Sequence, residues 1–319
     1  MPRFDVTTVG EGQLRLSVRA GQRLEQAKAF DVNTSGTEAN VTCTLSRLGW
    51  NCGWVSALPD TPLGRRVAGE YRFTGLDLSS VKWSGDHRLA TYYVEYAVPP
   101  RSTQVYYDRA NTCFTHLCLR DIDWDYLLDT RVLHLSGLTL PLSDTVRDVL
   151  IGAARRAKAA GVSVSFDVNY RSRLWEPEHA ARIMMPLLEQ VDLLFCGLRD
   201  ARGVFGCEGA PEKIVKQLTE LSGARQVVMS MSHEGMLGWD GETLHHERAR
   251  DVVILDRIGA GDAMVAGVLH GYLQDDFKKG LAYGALTAGL ALSQYGDQPV
   301  TTRGELEQLL QSEGHDIVR

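Results

Sequence analysis

The chain has 319 residues, 44% of them hydrophobic and 23% charged, which suits a globular protein with one main core and a small accessory element. A formal charge of −6 without any basic run argues against a nucleic-acid surface, because tracking phosphates needs a basic stripe. The opening MPRFDVTTVG has no basic segment followed by an apolar one, and no apolar window of about 18 residues occurs, so a cytoplasmic protein with small-molecule partners and no membrane contact is expected.

In chain order, Gln13 to Asn33 alternates apolar and polar residues and reads as strand outside the main sheet. TSGTEANVTCTLSRLGWNCGWVSALPDTPLG then gives a Gly turn, a helix from Thr37 to Leu48 and a strand from Cys52 to Ala57. LATYYVEYAVPPRSTQVYYDR, residues 89–109, alternates again and is broken by the Pro99-Pro100 turn. Its Tyr92, Val94 and Tyr96 share a face, opposite Tyr93 and Glu95. Together these segments predict antiparallel strands of a small separate sheet, formed by about 13–33 and 89–109. Such a sheet has one apolar face in need of cover, and a second subunit is expected to supply it.

Beyond them, Val132–Ser136, Val162–Val168, Val191–Phe195, Val227–Met231 and Val252–Leu255 are short apolar strands. Between them, Ser143 can cap a helix closing before Gly161, Glu176-Pro177 opens another to Gln190, and Pro211 to Leu221 supplies a third. The series is βαβ, so an α/β fold with a mainly parallel sheet is expected, as one domain over residues 1–319. Cysteines 43, 52, 113, 118, 196 and 207 have neither CxxC nor zinc spacing and are expected to be free thiols, most of them buried; the nine His form no HExxH pattern.

Residues 251–273, DVVILDRIGAGDAMVAGVLHGYL, run from an apolar strand-like stretch through two glycines and an Asp into a helix. Gly259 and Gly261 leave the turn without Cβ atoms, so N–H groups opening the helix can point at an anion, which the positive end of the helix dipole also favours. Asp262 sits beside that anion. A carboxylate is a poor phosphate ligand, so its place suits a base taking a proton from a hydroxyl that attacks the phosphate. Arg109 and Arg171 end two apolar strand-like segments, and guanidinium groups converging on one pocket would clamp a carboxylate. No GxxxxGKS or GxxxxGKT loop exists, nor a GxGxxG after the first strand, which sets aside P-loop and dinucleotide folds.

GAGDAMVAG resembles the second signature of the ribokinase-like (PfkB) carbohydrate kinases, usually DTxGAGD, and GTEANVTCTLSRLG followed by WVSALPDTPLGRRV resembles the first. The likeness spans nearly the whole chain. Within the family, SFDVNYRSRLW and VYYDRAN look most like 2-keto-3-deoxygluconate kinases. The resemblance implies a ribokinase-like central sheet flanked by helices, a small β-sheet lid that packs on a second subunit's lid in a homodimer, and ATP-dependent phosphorylation of a primary hydroxyl on a sugar or keto sugar acid. It also implies that Gly36 and Asn40 face the sugar, that Tyr92 and Tyr107 reach it from the lid, and that Arg109 and Arg171 contact substrate carboxylate and hydroxyls. The N–H groups of Ala260, Gly261 and Asp262 would receive the phosphoryl group. Mg²⁺ would bridge the phosphates, Asp200 would hold it through water, and Asp256 would be structural or serve a monovalent cation.

The chain departs from the family pattern mainly on the nucleotide side. Gly197-Leu198-Arg199-Asp200 replaces the usual N/S-E-x-E, and Ser230-Met231-Ser232-His233-Glu234-Gly235 puts a Cβ at Ser232 where glycine is usual. Arg257 stands where Thr is commonest, and Ala285 where Asn usually lies near adenine. The alternatives are a fructokinase or nucleoside kinase, and a sugar-acid-binding pseudokinase without phosphotransfer.

Overall fold

The computed structural model describes residues 2–96 and 98–311, so Ala97 of the expected lid segment and positions 312–319 lie outside the described residues. The strands are β1 (Phe4–Val9), β2 (Gln13–Val18), β3 (Asp31–Ser35), β4 (Cys52–Pro59), β5 (Val81–Ser84), β6 (Ala90–Glu95), β7 (Gln104–Asp108), β8 (Thr130–Ser136), β9 (Ser163–Asp167), β10 (Leu193–Gly197), β11 (Gln226–Ser230), β12 (Met236–Trp239) and β13 (Leu244–Glu247). The helices are α1 (Thr37–Arg47), α2 (Pro62–Phe73), α3 (Trp124–Leu128), α4 (Asp144–Ala159), α5 (Pro177–Leu188), α6 (Leu198–Phe205), α7 (Pro211–Ser222), α8 (Ala260–Tyr272), α9 (Phe277–Leu292) and α10 (Arg303–Gln311).

Nine strands form one sheet in the order β13-β12-β11-β10-β9-β8-β1-β4-β5. Every pair from β5 to β11 is parallel, and β12 and β13 close the edge antiparallel. Helices bury both faces, which is why the strands read as continuous apolar runs. In β10, Leu194 and Cys196 pack with α4, α5 and α7, while Leu193 and Phe195 pack with α1, α2, α8 and α9. Local signals fix the helix starts as expected: Ser143 Oγ accepts from Val146 N at 3.2 Å, and prolines open α5 and α7.

Three expectations need correction. Val252–Leu255 is not a strand, because the sheet position beyond β11 is taken by β12. The segment runs irregularly along α9, Leu255 N donating to Leu292 O at 2.8 Å, with Val253 77% exposed. The small sheet, β3-β2-β6-β7, is also not wholly antiparallel, since β2 and β6 pair parallel. Its inner face, Tyr92, Val94 and Tyr96, is already buried against Val105 and Ile258 of the same chain. The apolar face that was to need a second subunit is therefore covered from within. All six cysteines are free, five of them buried. Among the described residues no helix is long and apolar enough to cross a membrane.

Candidate active site

The C-terminal ends of the parallel strands are where an open α/β sheet offers a crevice. Here the ends of β9, β10 and β11, the turn before α8 and the inner face of the small sheet enclose a cavity of about 390 Å³. Its walls include Ser35, Thr37, Asn40, Tyr92, Tyr107, Arg109, Asp167, Asn169, Arg171, Asp200, Gly259, Gly261, Asp262 and Asp297. A second cleft of about 750 Å³ adjoins it, walled by Ser230, Ser232, Gly235, Val252, Ile254, Ala260, Ala285 and Leu292 among others. Ser230, Arg257, Gly261 and Met264 border both. Val252 and Ile254 of the irregular segment thus face a cleft instead of a sheet.

Gly259 precedes α8 with φ +86°, and a Cβ there would meet Asp297 O at 2.1 Å, so only glycine fits this turn. Gly261 differs: an added Cβ would meet nothing within 4 Å, because it would project into the cavity space where an anion could approach the first-turn amides. Asp262, in the first turn of α8, accepts hydrogen bonds from Thr37 Oγ1 at 2.5 Å and Asn40 Nδ2 at 2.7 Å. Withdrawal from water raises its pKa to about 6, against the opposing pull of those two hydrogen bonds. A carboxylate so held is ionised at neutral pH and basic enough to take a proton.

Asn40 therefore orients Asp262 from α1, a partnership that sequence alone did not show. Gly36 is absent from the cavity wall; it turns onto Glu11, whose carbonyl oxygen a Cβ would meet at 2.2 Å. Arg109 and Arg171 do line one cavity, but they are not equivalent. Arg109 is buried and grips Glu11 Oε2 through Nε at 3.0 Å and Nη2 at 2.7 Å, leaving Nη1 unpartnered. Arg171 lies in the loop four residues past β9, exposed, with Nη1 donating to Tyr170 O at 3.1 Å. Tyr92 is buried and donates to Asp297 Oδ2 at 2.7 Å, whereas Tyr107 is 39% exposed.

The chemistry also draws on residues not singled out in the sequence. Asp167 ends β9 in the cavity wall, and loss of water, with Asp262 and Asp200 nearby, pushes its pKa up to about 8. Asn169, two residues on, adopts a left-handed φ of +39° and donates to Thr37 Oγ1 at 3.0 Å. Both stand within the DVNYR stretch, where the resemblance assigns a substrate role to Arg171 alone. Asp200 accepts from Tyr170 N at 3.3 Å, and desolvation raises its pKa. Ser232 keeps a glycine-like φ of +60° although it carries a side chain. Among the described residues no group of three or more His, Cys, Asp or Glu is placed to hold a metal ion.

A buried carboxylate held by two side chains, a glycine turn opening a helix and a cleft beside it, at the strand ends of a doubly covered sheet, suit phosphoryl transfer. The family model of the pfkB family carbohydrate kinases matches residues 5–303, and the chain belongs to that family. It is a carbohydrate kinase. The chain is similar to the 2-dehydro-3-deoxygalactonokinase of Haloferax volcanii, 36% identical over 307 residues that cover 96% of each chain. It is 29% identical over 292 residues to the 2-dehydro-3-deoxygluconokinase of Bacillus subtilis, 89% of each chain. The crystal structure of 2-dehydro-3-deoxygluconokinase from Thermotoga maritima superposes with a TM-score of 0.92 at 32% identity, over 97% of this chain and 99% of that one.

Proposed function

We propose that this kinase transfers the γ-phosphoryl group of ATP to the terminal primary hydroxyl of a 2-keto-3-deoxy sugar acid. The observation that carries the reading is the position of Asp262, held by Thr37 and Asn40 in the wall of the polar cavity beside Gly261, which also borders the apolar-walled cleft. The two relatives named for sugar-acid kinases over nearly their full length support an acid over a neutral sugar. So does Arg171, an exposed guanidinium in the wall of that cavity.

ATP, with Mg²⁺ neutralising its phosphates, supplies the electrophilic phosphoryl group when bound. The cleft suits it: Val252, Ile254, Ala285 and Leu292 offer apolar contact to a base, and Ser230, Ser232 and Gly235 polar backbone. Among the described residues no group of three or more His, Cys, Asp or Glu gathers to hold a metal ion, so Mg²⁺ would arrive with the nucleotide and Asp200 would hold it through water. Asp262 takes the hydroxyl proton as the oxygen attacks, while the amides of Ala260, Gly261 and Asp262 face the charge on the transferring group. Arg257 borders both cavities and adds a positive charge at their junction. The small sheet, with Tyr92 and Tyr107, serves as a lid over the acceptor, and the whole chain works as one unit, as a homodimer.

An ADP-release assay with 2-keto-3-deoxygluconate, 2-keto-3-deoxygalactonate, fructose, ribose and adenosine tests the reading. Turnover of the two sugar acids well above the neutral acceptors is expected. Turnover confined to a neutral sugar would replace the sugar-acid reading, and binding without ADP release would restore the pseudokinase.

A further inference from the structure

Beside the turn lies a charged cluster whose cation, Arg15, has no role in the chemistry above. Arg15, at the centre of β2, is fully buried, and so are its two partners. Its Nη1 donates to Asp297 Oδ1 at 2.7 Å and its Nη2 to Asp256 Oδ2. The hydroxyls of Tyr92 and Ser35 donate to Asp297 Oδ2 at 2.7 and 2.5 Å, and that of Tyr96 to Asp256 Oδ2 at 2.6 Å. Two carboxylates out of water demand a cation, because their mutual repulsion and lost hydration would otherwise make the site untenable.

These two carboxylates belong to the segments that shape the turn. Asp256 Oδ1 accepts from Ile258 N at 3.0 Å, fixing the residue before Gly259. The backbone of Asp297 presses on Gly259 itself, the contact that excludes a Cβ there. Whatever cation holds Asp256 to Asp297 therefore also holds the turn whose amides face the phosphoryl group. An ion taken from solution could do this. In this chain the guanidinium plane of Arg15 stands between the two carboxylates and bonds both.

We infer that Arg15 is a built-in cation that positions the anion-binding turn, so that phosphotransfer by this chain is independent of monovalent cations. The inference rests on the kinase reading. It replaces the expectation that Asp256 serves a monovalent ion. Arg15 touches neither phosphate nor acceptor in this arrangement and is a positioning residue; it also ties the small sheet, through β2 and β6, to the turn.

The test begins with the unaltered protein, assayed for ADP release with a 2-keto-3-deoxy sugar acid in potassium, sodium or tetramethylammonium chloride at equal ionic strength, where screening is the same. Rates within about twofold of one another are expected under equal screening. A requirement for potassium overturns the inference while leaving the kinase reading intact; no turnover in any salt sinks the kinase reading instead. In Arg15→Ala, kcat should drop by about 10²-fold, the scale for losing preorganised donors to a developing charge, with the sugar KM much less affected. Millimolar guanidinium or potassium should restore part of that rate and raise the melting temperature of the variant but not of the unaltered protein. Loss without rescue, or KM rising in step with the loss of kcat, would reduce Arg15 to a structural ion pair. Should Arg15→Ala fail to fold, Arg15→Ala with Asp256→Asn removes one of the two carboxylate charges left unpaired, and the same rescue is sought there.

Discussion

At the residue scale, Asp262 decides the pH profile. With its pKa raised to about 6 by loss of water, the carboxylate is ionised above that value and protonated below it, and only the ionised form can accept a proton. kcat/KM should therefore fall as pH drops through about 6. Asp262→Asn keeps the hydrogen-bonding shape but cannot act as a base, and a loss of about 10² to 10⁴-fold in kcat is expected. Unchanged turnover would remove the assignment. Asp167 carries a different consequence. Its pKa is raised to about 8, chiefly by desolvation and then by Asp262, so the folded protein holds this proton more tightly than the unfolded chain. For a raised acid the stabilising contribution is present at low pH and is lost as pH climbs from about 4 through about 8. Asp167→Asn has nothing to lose on that climb. Calorimetry should show the melting temperature of the variant rising relative to the unaltered protein between pH 5 and pH 9, at about 2–4 °C per kcal/mol for a chain of this order. A difference that stays flat with pH would show that Asp167 is not held protonated.

At the scale of elements, the acceptor pocket is assembled from loops that leave β9 and β7. The β9 loop brings Asp167, Asn169 and Arg171 to one wall, and the same loop latches the small sheet, since Arg173 Nη1 donates to Val105 O of β7 at 2.7 Å. Arg171→Ala should weaken a sugar acid by about 1.5–3 kcal/mol, the range for hydrogen bonds to charged groups, and leave a neutral acceptor unaffected. Equal losses for both, measured by calorimetric titration, would mark the side chain as structural. On the opposite side, α9 presents Ala285 to the larger cleft, and its methyl side chain offers a base no hydrogen bond. Phosphate binding by amides ignores the base, whereas a site built to hydrogen-bond it discriminates strongly. The unaltered kinase should thus accept GTP alongside ATP in competition assays, and Ala285→Asn should tighten ATP selectively. Strict ATP preference in the unaltered chain would mean that apolar contacts from Val252, Ile254 and Leu292 suffice.

At the scale of the whole molecule, buried ion pairs and phenols tie the small sheet to the turn before α8 and the segment after α9, so it is held in place within the chain. What it leaves open is its outer face. Tyr93 and Tyr106 are register partners there, Phe30 meets the Tyr93 ring edge at 5.9 Å, and Tyr106 is 49% exposed. Aromatic residues clustered on an exposed sheet face favour self-association. Sedimentation at micromolar concentration should give a dimer, and Tyr106→Glu a monomer; a monomeric unaltered protein would reject the pairing.

The sequence by itself carried whatever depends on neighbours in the chain. Strands β8 to β11, the Ser143 cap, the proline-opened helices and the turn before Asp262 follow from apolar period, capping chemistry and the freedom of glycine, all local properties. DVVIL misled for the same reason: its apolar, β-branched run satisfies a local pattern, and only the tertiary structure shows that β12 already occupies the sheet position it would need. The partners of Asp262 stand 225 and 222 residues away, and Arg15 meets Asp256 and Asp297 across 241 and 282. No pattern along one chain encodes such separations. Whether a guanidinium meets a substrate or a buried carboxylate depends on which loops the sheet order brings together, and that paired Arg109 with Glu11 and left Arg171 exposed in the cavity wall.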